Sequence, residues 1–115
     1  MSFNEDELIK IKKKTSGFFK GKARSAISIT IGSYKPKIEA ARILDEPERN
    51  KALLALVDQA TAERHLALQS GASSYGNPAW AAAATVESWL HELMVGDPQS
   101  IQNVEAIIDE LHVRA

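Results

Sequence analysis

The chain is expected to be mainly α, a small antiparallel helical bundle, and three observations carry that expectation. Each of its four prolines (Pro36, Pro47, Pro78 and Pro98) opens a run of apolar residues at three-four spacing. Proline suits the first helical position, because the N–H it lacks has no intrahelical partner there. Only residues 26–31 alternate with a period of two. Finally, 115 residues with 44% hydrophobic and 25% charged side chains match one ordinary globular domain, large enough to bury roughly two-thirds of its unfolded surface.

The first helix is expected from Asn4 to about Ser16. Asn4 stands as its cap with Glu7 three residues on, a variant of the capping box. Acids open this segment and lysines close it, the order that the helix dipole favours. Leu8, Ile11, Thr15, Phe18 and Phe19 fall on one face, and Gly17 ends the regular helix.

Residues 26–31 (Ala-Ile-Ser-Ile-Thr-Ile) are rich in β-branched side chains, a strand signal. No second strand accompanies them. Two readings stand open: a helix despite propensity, or a short strand pairing with the same segment of another copy.

From Pro36 the pattern is helical throughout. Ile38, Ala41 and Leu44 mark a short helix ending near Glu46. The next is expected from Pro47 to about Gln69, with Leu53, Leu56, Val57, Ala60, Ala67 and Leu68 on its core face. Residues 70–76, rich in Ser and Gly, read as a loop. Asn77-Pro78 and Asp97-Pro98 each pair an N-cap side chain with a proline. They open helices expected over 78–95, with a core face of Ala79, Ala82, Val86, Trp89, Leu90 and Leu93, and from Pro98 to about Val113.

Charge divides the chain. Residues 1–37 carry +6 and the remainder −7, giving the net −1. The division suggests a basic N-terminal part (1–35) and an acidic helical bundle (36–115) within one domain. The basic part either contacts an anionic partner or packs on the acidic body, in the same chain or in a second copy.

Several chemistries find no support. The absence of cysteine excludes disulfides, cysteine–zinc sites and a thiol nucleophile. The acidic start carries no signal-peptide pattern, and the longest apolar run, Ala79 to Ala84, is too short to cross a bilayer. A cytoplasmic protein is therefore expected, with a membrane disfavoured as partner. The stretch from Gly17 to Ala23 is one residue short of a phosphate-binding loop, with Ala where the metal-binding hydroxyl belongs. Gly71 to Tyr75 lacks the second glycine of a nucleophile elbow. Glu87/His91 and Asp58/His65 lack the three-residue spacing of a di-metal bundle, so neither metal nor cofactor is expected.

Two surfaces remain as candidates. Trp80, Ala84, Glu87 and His91 form a stripe opposite the expected core face of their helix, either an interface for a protein partner or a face covered within the bundle. Lys10, Lys12, Lys13, Lys14, Lys20, Lys22 and Arg24 cluster as contacts for an anion or nucleic acid. Arg64, on the apolar face of its helix, either snorkels outward or pairs with an acid of the last helix. The sequence thus predicts a non-enzymatic protein-interaction or assembly module that self-associates, the alternative being a small nucleic-acid-binding accessory factor.

Overall fold

Burial of the three-four apolar rows produces five α-helices and no strand among the described residues, which in the computed structural model are 2–17, 21–72 and 75–112. They are α1 (Phe3–Lys14), α2 (Gly21–Arg42), α3 (Glu46–Ala67), α4 (Pro78–Val95) and α5 (Pro98–His112). The helical-bundle class follows. Phe18, Phe19 and Lys20 lie outside the described residues.

The candidate strand is helical. Ala23, Ile27, Ile31, Tyr34, Ile38 and Ala41 are buried along one face of α2, whereas Ile29 is 71% exposed. Isoleucines four apart satisfy both a two-residue and a helical repeat, and the longer row from 23 to 41 obeys only the helical one. A helix bonds its own backbone internally, so no partner strand is required.

Pro36 does not open a helix but lies inside α2, so the proposed division at residue 35 falls within a continuous helix. The proline ring denies the Gly32 carbonyl its usual partner. Buried Ile31 and Tyr34 on one side and Ile38 and Ala41 on the other hold the helix together across the gap.

The first cap is also corrected. Ser2 caps α1, its hydroxyl accepting from the Glu5 N–H at 3.0 Å. Asn4 instead turns inward and donates through Nδ2 to Glu92 Oε1 at 3.0 Å.

Helix α4 forms the centre, and α3, α2, α5 and α1 surround it in that order, each touching its neighbour in the series and α4 itself. Ala81, Ala82, Ala83, Ala84, Val86, Trp89 and Leu90 are all buried. A helix apolar on every side is a buried helix, and its small residues let the surrounding helices approach. The expected one-sided core face therefore gives way to burial almost all round. Ala79 is exposed and Leu93 only partly buried. Leu68, also assigned to the core, is 43% exposed just beyond the end of α3.

The ends of three helices meet at Glu92, which is 1% exposed. Burial, the largest single influence, pushes its carboxyl pKa up. The Asn4 hydrogen bond and the nearby Ser100 and Ser2 hydroxyls together outweigh burial and the nearby Asp97 charge, leaving it below its ordinary value. The start of α1 is thereby bonded to the end of α4, with the start of α5 packed beside it. Gly96 makes room for this junction: a Cβ there would lie 2.6 Å from Glu92 Oε2 and 2.7 Å from Ser100 Oγ.

Candidate functional site

The α2–α3 hairpin is closed by the short turn at residues 43–45 and bonded again where the Tyr34 hydroxyl donates to Glu63 Oε1 at 2.6 Å. Burial, the hydrogen bond to Glu63 and the charge of that carboxylate raise the Tyr34 pKa, so the phenol remains a donor. Beyond this bond an open groove of about 870 Å³ runs between the two helices. Ala79, Ala82 and Ala83 of α4 form its floor, and Ala26 and Ala67 its lower walls.

Ile29 of α2 and Leu66 of α3 line the groove while 71% and 61% exposed. Among the described residues, Glu63 is the only formally charged one of the lining. The volume falls within the range of about 300–1,000 Å³ usual for ligand pockets.

Asn77 fixes the far end of the groove. Its side chain caps α4 by accepting from the Trp80 N–H at 3.3 Å, and Nδ2 donates to the carbonyls of Ala67 and Ala72 at 3.1 and 3.0 Å. The end of α3 is thus joined to the start of α4. A Cβ on Gly71 would lie 3.1 Å from that Nδ2, which explains the small residue in the turn.

The predicted stripe on α4 is largely occupied within the chain. Trp80 packs on the core edge-on to Tyr75, with ring centroids 5.6 Å apart. The Tyr75 hydroxyl reaches Glu7 of α1 at 3.3 Å. Ala84 is buried. Glu87 accepts from Arg64 Nε at 2.7 Å and Nη2 at 3.3 Å, and from the Thr61 hydroxyl. Arg64 thus finds its acid on α4 rather than on the last helix. Of the four stripe residues, only His91 is exposed.

The basic cluster divides in two. Lys12 pairs with Glu110 of α5, and Arg24 donates to Thr15 Oγ1 at 2.9 Å and to the Lys12 carbonyl at 3.0 Å. Arg42 likewise meets Glu105 at 2.7 Å, beside the Trp89 indole N–H that donates to the same carboxylate at 3.3 Å. Lys12–Glu110 thus joins the basic and acidic parts within one chain, whereas Arg42 and Glu105 both belong to the acidic part. Lys10, Lys13, Lys14 and Lys22 face solvent, and Lys20 lies outside the described residues. Among the described residues no group of three His, Cys, Asp or Glu side chains is arranged to hold a metal, and no helix is long and apolar enough to cross a membrane.

The groove escaped sequence reasoning because its lining comes from three helices. Its one legible signal was the apolar run 79–84, of which Ala79 and Ala82 were assigned to the core face and Trp80 and Ala84 to the opposite stripe. Comparison with protein families, curated proteins and solved structures finds no match, so the functional reading rests on this geometry.

Proposed function

We propose that the chain is a non-enzymatic protein-interaction module that docks a segment of a partner protein in the groove between α2 and α3. The observation that carries this reading is the pair Ile29 and Leu66, exposed on opposite walls of an alanine-floored groove. Large apolar side chains facing each other across such a channel favour a partner that removes them from water, each contributing roughly 1–2 kcal/mol when its exposed two-thirds is covered. The α4 stripe is the weaker candidate, since three of its four residues are engaged inside the bundle.

A second copy is less well supported as partner. Residues 26–31 need no strand partner, Trp80 packs on its own chain, and Lys12 of the basic part pairs with Glu110 of the acidic part within it.

The test is copurification with the unmodified chain and with Ser33→Trp and Ala79→Trp, which place an indole in the groove from exposed positions. A partner retained by the unmodified chain and by a distant Ile43→Trp control, but lost from both groove variants, supports the reading. Equal retention by the groove variants refutes it.

A further inference from the structure

Resting on that reading of the groove, we infer that its occupant is an amphipathic helix that sets one basic side chain against Glu63. The shape argument comes from the three lining helices. The groove is bounded by residues 26–34 of α2 and 63–70 of α3 over residues 78–83 of α4. A helix laid there would complete a four-helix arrangement with these three. The alanines of floor and walls let its axis approach to about 8–10 Å, the ordinary spacing of packed helices. An added strand would need a sheet edge, and an extended polyproline segment a row of aromatic rings; helical walls whose described lining has Tyr34 as its one aromatic residue offer neither.

Charge selects among helices. Glu63 lies at the closed end of the groove as its only formal charge among the described residues. Tyr34 occupies Oε1 at 2.6 Å, whereas Oε2 has only the long contact from Gln59 Nε2 at 3.4 Å. The nearby cations are directed elsewhere. Arg64 is held by Glu87, and Lys37 Nζ sits 5.5 Å from the centroid of the Tyr34 ring, making no ion pair with Glu63 among the described residues. An apolar helix covering Glu63 would strip water from a carboxylate without replacing it, and an acidic one would add repulsion. A lysine or arginine at that register removes both penalties.

The experiment selects helices of about five turns from a phage-displayed library against the intact chain. The library keeps apolar residues at three-four spacing and leaves every other position random. The inference expects Lys or Arg to dominate one position next to the apolar stripe. Glu63→Gln should weaken the selected helices on the order of fivefold, the size of a partly exposed ion pair, and Ser33→Trp or Ala79→Trp should abolish binding. Circular dichroism of each variant confirms the helical fold first. Helices that need the open groove but show no basic preference and ignore Glu63→Gln overturn the charge inference and leave the groove reading standing. Helices that bind the plugged variants equally, or no enrichment over them, overturn both.

Discussion

Replacing Glu92 tests the junction that bonds α1 to the end of α4 beside the start of α5. Its carboxylate is 1% exposed and accepts from Asn4 Nδ2 at 3.0 Å, with the Ser2 and Ser100 hydroxyls beside it. Glu92→Gln keeps the shape and an acceptor for Asn4 but removes the charge that strengthens that bond, at a cost of about 1–2 kcal/mol. Glu92→Leu removes the acceptor altogether. Asn4, itself only 7% exposed, then has a buried amide without this partner, and the cost rises to about 2–4 kcal/mol. At this chain length each kcal/mol lowers Tm by roughly 4 °C, so the two variants should melt about 6 and 12 °C below the unmodified protein. The assay is thermal denaturation followed by far-ultraviolet circular dichroism across a pH series. The sign follows from the lowered pKa. The contribution is fully present above the unfolded carboxyl value of 4.5 and is lost as pH falls through the lower folded value. The gap between the unmodified protein and Glu92→Gln should therefore close in acid. Equal melting at neutral pH, or a gap that persists undiminished in acid, would refute the reasoning.

Three further outcomes are expected. Gly96→Ala should destabilise by about 1–3 kcal/mol in urea titration, because its Cβ meets Glu92 and Ser100 atoms at 2.6–2.7 Å; unchanged stability would mean that the junction relaxes freely. Pro36→Ala should raise stability by about 1–3 kcal/mol in the same titration, restoring a backbone bond to Gly32 inside α2. Trp80→Ala should lower Tm while leaving the solution mass by light scattering unchanged, because Trp80 packs on its own core; a change of mass without a change of Tm would return it to an intermolecular interface.

The helical class, the starts of α4 and α5 at Pro78 and Pro98, and the end of α4 before Gly96 were legible in the sequence. Each rests on chemistry local to one turn: a cap, a proline without an N–H, an apolar row. Where local signals conflicted, a longer range decided. Ile27, Ile29 and Ile31 alternate like a strand, yet the row from Ala23 to Ala41 buries only as a helix, and that row carries α2 past Pro36. Tertiary structure alone brought Tyr34 to Glu63, Arg64 to Glu87, and Asn4 to Glu92 across 88 positions of chain. The groove belongs to the same category. Ile29, Leu66 and Ala79 carry no joint signal along the chain, because their meeting depends on how α2 and α3 seat on α4. Hydrogen bonding and side-chain period act within a turn and can be read in order. The choice of which faces oppose is made by burial of the whole surface at once, and one helix's pattern does not encode it.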